Sequence, residues 1–209
     1  PGARLHRMGG RTRGLCAALL AAGAGPAAAA AGTATALTAG SLRDEGYDLV
    51  ISAGIAGGFA PTAPLGRVVV ADTLVAADLG AQSPSGFLPI ERLGFGTSVH
   101  RAPQPLSSLV ADALGALHGP VLTVSTATGT EASARELAAR HPGALAEAME
   151  GFGVAEAAAA QGVPVLEIRA VSNPVGPRDR AAWRIPEALA ALTTAFARLV
   201  PVLEEAAAA

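Results

Sequence analysis

Short apolar runs alternate with longer stretches of helical character along most of this chain. Val68-Val69-Val70 is β-branched and uninterrupted, as strands buried on both faces are. Leu15–Ala22, Asp48–Ser52, Val121–Ser125 and Val163–Ala170 read as further strands. Helices are expected from Pro26 to about Glu45 and over Leu106–Leu117, Glu131–Arg140, Ala144–Gln161 and Ile185–Ala207. Pro26 suits a first helical position because its missing N–H costs nothing there. Gly46 is expected to end that helix. Residues 1–14 are basic and Gly-rich and read as a tail or loop. Residues 80–103 carry Gly, Pro and Ser and read as an irregular excursion, either a lid or a partner contact.

Strands alternating with helices predict a single α/β domain, a mixed and mainly parallel twisted sheet flanked by helices. Residues 1–22 are expected to be an N-terminal tail or incomplete first-strand region, and 23–209 the domain. Ligands of such sheets bind beyond the carboxyl ends of the strands. Four loops are expected there: Gly23–Gly25, Ala53–Gly58, Thr126–Thr130 and Ser172–Arg180.

Composition narrows the function more than the fold. With 209 residues, 51% apolar and 15% charged, the chain can bury a sizeable core. The net charge is −2 and no basic stripe interleaves with aromatics, which argues against nucleic-acid binding. The four histidines lack ligand spacing, so no metal site is expected, and no cofactor. The single Cys16 fits a reducing, cytoplasmic setting. No charge occurs between Arg13 and Arg43, which mimics an export signal or a span. The stretch is mostly Ala and Gly with several Thr, so a buried helix is expected there and no membrane.

Candidate chemistry sits in a few motifs. Gly23-Ala24-Gly25 before Pro26 is a weak dinucleotide-type pattern, but a glycine turn into a helix does expose N–H groups that can hold an anion, a hydroxyl or a water. Gly54–Gly58 is either a tight turn or a place where backbone approaches a ligand. Gly151 and Gly153 interrupt an Ala-rich helical pattern, where each costs roughly 1 kcal/mol relative to Ala, and so suggest a bend or close packing that aims Glu150. Otherwise Glu150 is a solvated acid like Glu147 and Glu156. Asn173 stands where a strand is expected to end.

Taken in order, SAGIAGG (Ser52–Gly58), GRVVVAD (Gly66–Asp72), Met149-Glu150-Gly151 and RAVSN (Arg169–Asn173) resemble the nucleosidase and nucleoside phosphorylase superfamily. The resemblance covers about residues 23–205. Within it, the MEGFGVAEAA segment and the segment Ser172–Ile185 look most like the futalosine hydrolases.

The resemblance implies hydrolysis of futalosine to hypoxanthine and dehypoxanthine futalosine in menaquinone biosynthesis, by a homo-oligomer built as a dimer or a multiple of dimers. It also implies roles by position. Glu150 would accept hydrogen bonds from the ribose hydroxyls, with Met149 under the sugar. Asn173 would read N7 and O6 of the purine. Ala127 and Thr128 would flank the base, and Ile55, Ala56 and Gly57 would line the site for water and sugar. An amide can donate to the acceptors of a 6-oxopurine, whereas an ionised Asp would repel O6. Adenine-cleaving members carry Asp at this position.

The glycine-rich loops hold no Arg or Lys to cradle phosphate, which favours water over phosphate as nucleophile. A 6-oxopurine nucleoside phosphorylase and a non-catalytic nucleoside- or dinucleotide-binding module are the rival expectations. Family members begin with a strand followed by an acid that positions the water. Residues 1–14 hold no Asp or Glu and the first acid is Asp44, so the general base stays unassigned.

Overall fold

The computed structural model describes residues 4–12 and 15–208. Strands β1 (Arg4–Thr12) and β2 (Leu15–Ala21) form an antiparallel pair of their own. Helix α1 (Pro26–Ser41) follows. Then come β3 (Val50–Gly58), β4 (Val68–Ala76), a small hairpin β5–β6 (Gly80–Ser83 and Gly86–Pro89) and β7 (Val99–Arg101). Helix α2 (Leu106–Leu114), β8 (Leu117–Thr123), α3 (Glu131–Arg140), β9 (Ala146–Ala148), α4 (Gly151–Ala160), β10 (Val165–Pro174) and α5 (Ile185–Ala208) complete the chain.

Six strands make the main sheet, in the order β10-β3-β9-β8-β4-β7. The expected mixed sheet flanked by helices is present, but parallel and antiparallel pairs are evenly balanced. β10 and β3 run one way, and β9, β8 and β4 run the other. The sheet also closes on itself. Ile168, Arg169 and Ala170 of β10 pair with Val70, Val69 and Val68 of β4, so five strands form a ring and β7 lies outside it. Twist of a curled sheet brings such edges together, and the fully buried Val69, Val70 and Ile168 seal the join.

Several local expectations are corrected. Residues 4–12 are a strand, not a tail or loop. Helix α1 ends at Ser41 rather than near Glu45, because a turn through Asp44 (φ 55°) brings Tyr47 and the Glu45 carbonyl against Gly40. β3 runs straight through Ala53–Gly58, which was read as a loop. The region 80–103 is an ordered hairpin, a 3-10 turn and a sheet strand; Arg140 stacks 4.4 Å from the Phe87 ring centroid and donates to Ala77 O (2.8 Å). The Ala-rich stretch 144–161 is not one helix, since β9 occupies its first part. Alanine favours helix, but sheet pairing with β3 and β8 overrides that local preference here.

Small residues in this fold bring backbones close. A side chain at Gly153 would lie 2.1 Å from the Pro26 carbonyl oxygen, so its absence lets the first turns of α1 and α4 touch. That contact positions the candidate site.

Candidate active site

The site forms at the seam where strand direction reverses, between β3 and β9. Gly57 and Asn173 are the penultimate residues of β3 and β10, so the site stands at the carboxyl ends of these two strands, although Gly57 lies within β3 and not in a loop after it. Asn173 of β10 pairs with Gly57 of β3, and Gly57 pairs with Glu147 of β9. Residues paired across adjacent strands share a face, so an amide and a carboxyl flank a position with no side chain. A register shift at Ser172 creates this row: Val171 pairs with Ala56, yet Asn173, two residues on, pairs with Gly57. One extra residue in a strand turns the next side chain to the other face.

The orientation of Asn173 follows from its neighbours. Ser172 Oγ donates to Oδ1 (2.9 Å), and Nδ2 donates to the Pro174 carbonyl (3.0 Å). That carbonyl can only accept, so the nitrogen must lie on its side. The second Nδ2 hydrogen stays available, beside Gly57, where an added Cβ would sit 3.3 Å from the nitrogen.

Glu150 caps α4 and its side chain is 25% exposed. Arg169 Nη1 donates to its Oε2 (3.0 Å) and the Gly25 N–H donates to Oε1 (3.3 Å). Gly25 (φ 90°) opens α1, so the anion at this helix N-terminus is the protein's own carboxylate. The Met149 N–H also reaches Oε2 (3.4 Å).

Arg169 is 2% exposed and every nitrogen is engaged. Nε donates to Glu167 Oε1 (2.8 Å), Nη2 to Ser52 Oγ (3.0 Å), and Nη1 also reaches the Ile55 carbonyl (3.5 Å). Burial pushes the Glu167 carboxyl up, against the opposing pull of Arg169, and the nearby Glu150 adds to the rise. Glu167 Oε2 has no partner and is pressed against Gly151, where a Cβ would come within 2.1 Å. Gly151 and Gly153 thus serve close packing at the start of α4, just after the chain bends at Met149 and Glu150 between β9 and the helix.

Glu147, read beforehand as solvated, is buried (8% exposed). It accepts the Thr128 N–H (2.8 Å) and the Thr128 hydroxyl. Asp78 accepts the Ser125 N–H (2.6 Å), so carboxylates pin the 125–128 segment at two points. Thr128 is half-buried and Ala127 exposed.

The phosphorylase superfamily model matches residues 3–206. Futalosine hydrolase of Streptomyces coelicolor is 66% identical over 204 residues, covering 98% of this chain and 85% of that protein. The chain belongs to the futalosine hydrolases, within the phosphorylase superfamily. Futalosine hydrolase of Acidothermus cellulolyticus is 50% identical over 163 residues, covering 76% of this chain and 66% of that one. Among solved structures, the methylthioadenosine/adenosylhomocysteine nucleosidase of Colwellia psychrerythraea, in complex with adenine, superposes with a TM-score of 0.80 at 22% identity, covering 97% of this chain and 84% of that one. The Neisseria meningitidis nucleosidase, in complex with methylthio-immucillin-A, gives 0.76 at 20% identity, covering 94% and 89%. At that identity they establish the fold.

In this futalosine hydrolase family member, β3 links the residues singled out from sequence. The Ile55 carbonyl meets Arg169, which holds Glu150, and Gly57 stands between Asn173 and Glu147. Sequence reasoning missed Arg169, Glu167, Ser52 and Glu147 as parts of the site. Glu167 and Arg169 carried a usable signal: two opposite charges two apart in an otherwise apolar strand point to one face and must pair if buried.

Burial, the largest influence on Glu147, pushes its carboxyl up; Thr128 opposes this and the Asp78 charge adds to it. A raised folded value means the native state takes the proton more readily than the unfolded chain. Its stability contribution is therefore fullest below the ordinary value of 4.5 and is lost as pH rises through the raised one. Urea unfolding across that window should find the unaltered protein gaining on Glu147→Gln as pH falls. Parallel curves would show that Glu147 titrates normally.

Proposed function

We propose that the protein hydrolyses the N-glycosidic bond of futalosine, releasing hypoxanthine, and so supplies dehypoxanthine futalosine to menaquinone biosynthesis. Identity to named futalosine hydrolases supports the substrate. The observation that carries the chemistry is the Asn173 amide, turned donor-outward over Gly57 by Ser172 and Pro174. A neutral donor there matches N7 and O6 of a 6-oxopurine, both acceptors while the base is still attached. It also stabilises charge arriving on the leaving base.

The C1′–N9 bond breaks first and its electron pair moves onto the purine. The ribose gains oxocarbenium character, and water adds to C1′. One water proton ends on the departing hypoxanthine and the hydroxyl stays on the sugar. Glu150, fixed by Arg169 and Gly25, accepts the ribose hydroxyls and sets negative charge near the developing cation. Met149 and Ile55–Gly57 line the sugar, and Ala127 and Thr128 flank the base. The working form is a cytoplasmic homo-oligomer, a dimer or multiple of dimers; the free, exposed Cys16 suits a reducing compartment.

Water is favoured over phosphate because Arg169 is already occupied by two carboxylates and buried. Hypoxanthine release from futalosine and from inosine, with and without phosphate, tests the reading. Release from futalosine at a rate unaffected by phosphate is expected. Strict dependence on phosphate would make the protein a phosphorylase.

A further inference from the structure

One carboxyl of the site takes no part in holding Glu150 or in orienting Asn173. Glu147 sits on β9 opposite Gly57, and Asn173 sits on β10 opposite the same glycine. The two side chains share a face, and their backbones stand two strand spacings apart, about 10 Å. Gly57 puts no side chain between them. The gap is the width that one planar ring fills with a hydrogen bond at each edge.

Glu147 also takes up the donor beside it. Its Oε1 accepts the Thr128 N–H (2.8 Å) and its Oε2 accepts the Thr128 hydroxyl. Asp78 holds the same segment at its other end by accepting the Ser125 N–H (2.6 Å). The Thr128 N–H, in the segment read above as flanking the base, is therefore engaged and cannot serve a ring nitrogen. This wall of the slot presents an acceptor instead. A carboxylate offers about four lone-pair sites, and Thr128 fills one on each oxygen. The opposite wall is a donor: Asn173 Nδ2 keeps one hydrogen free, held in place by Ser172 and Pro174.

A 6-oxopurine carries the complementary edge. Its O6 and N7 accept, and N1, next to the C6 carbonyl, bears a hydrogen that needs an acceptor. A 6-aminopurine is the reverse, with a donor at position 6 and a lone pair at N1. A carboxylate facing that lone pair leaves two buried acceptors unpaired, which binding does not tolerate. We propose that Glu147 sets base specificity by accepting the N1–H of a 6-oxopurine whose O6 and N7 are held by Asn173. This rests on the nucleoside-hydrolase reading above, which puts the base at Asn173.

Hypoxanthine and 1-methylhypoxanthine are the probes, since they share O6 and N7 and differ at the N1–H. Calorimetric titration of the full chain shows hypoxanthine preferred by about tenfold or more. A Glu147→Gln variant keeps the size of the side chain and an acceptor for the Thr128 N–H, and loses the charge. Hypoxanthine binds it about tenfold more weakly while 1-methylhypoxanthine changes within about twofold, so the preference collapses. If Glu147 only held the 125–128 segment, both ligands would weaken equally. If the methyl group were disfavoured by bulk alone, the preference would survive the substitution. Either result overturns the proposal. Thr128→Val removes the hydroxyl, leaves the carboxylate, and retains the preference; a collapse there equal to that of Glu147→Gln also overturns it. The unaltered protein is decisive even if a variant does not fold, because equal affinity for the two ligands, or no hypoxanthine binding, ends the proposal. Futalosine cleavage is measured separately. Its absence beside an intact hypoxanthine preference defeats the hydrolase reading and leaves the role of Glu147 standing.

Discussion

Replacing Arg169 with Met should cost about 3–5 kcal/mol of stability, the range for removing one partner of a buried charge network. Activity should be lost with it. Arg169 is 2% exposed and stands between a fully buried Glu167 and the partly exposed Glu150. Without the guanidinium, Glu167 loses the cation on Oε1, while Oε2 already lacks a partner. It would then be held protonated, and Ser52 Oγ would lose its donor. Glu150 would keep only the weaker Gly25 and Met149 N–H contacts. Arg169→Lys should rescue little, because one ammonium cannot span Glu150, Glu167 and Ser52 in the geometry of a planar fork. Denaturant unfolding with hypoxanthine release measures both effects. A methionine variant within about 1 kcal/mol of the unaltered protein would mean that the network does not hold the site.

Glu150→Gln should behave in the opposite way, folding normally and failing to turn over. Its side chain is partly exposed, and a glutamine carbonyl can still accept from Arg169 or Gly25. The stability change should therefore stay within about 1 kcal/mol. The charge proposed to face the ribose is gone, however, and a group of this kind is worth roughly 10²–10³ in kcat. The contrast with Arg169 tests the proposed division between a residue that touches substrate and one that positions it. If the glutamine variant keeps more than about a tenth of the activity, Glu150 does not serve the transition state.

How much of this could be read beforehand differs from element to element. Helix α3 matches the expected Glu131–Arg140, because Thr130 caps it through the Ser133 N–H and His141-Pro142 ends it. Helix α5 was expected from its long apolar period, and it begins at Ile185 as expected. Val68–Val70 lies in a strand buried on both faces, as an unbroken β-branched run implies. By contrast, Ala53–Gly58 reads as a loop because glycine is a poor strand former. It is a strand because Arg169 abuts Gly54, Asn173 abuts Gly57, and the Ala63 carbonyl abuts Gly58. Those neighbours lie up to more than a hundred positions away, and no local window contains them.

The sequence by itself determined the α/β class, most of the helices and the motif order that resembles the futalosine hydrolases. These depend on local periodicity and on residue identity, which survive without coordinates. It also singled out Glu150 and Asn173. Only the tertiary structure decided how the strands run and close, and hence that the carboxyl ends of β3 and β10 meet β9 along a seam of reversed direction. It also decided what partners each buried carboxyl: Arg169 for Glu167, and Thr128 for Glu147. Pairing across strands and desolvation of charge are non-local, fixed by register and packing, so a linear pattern can imply that partners exist without saying which they are.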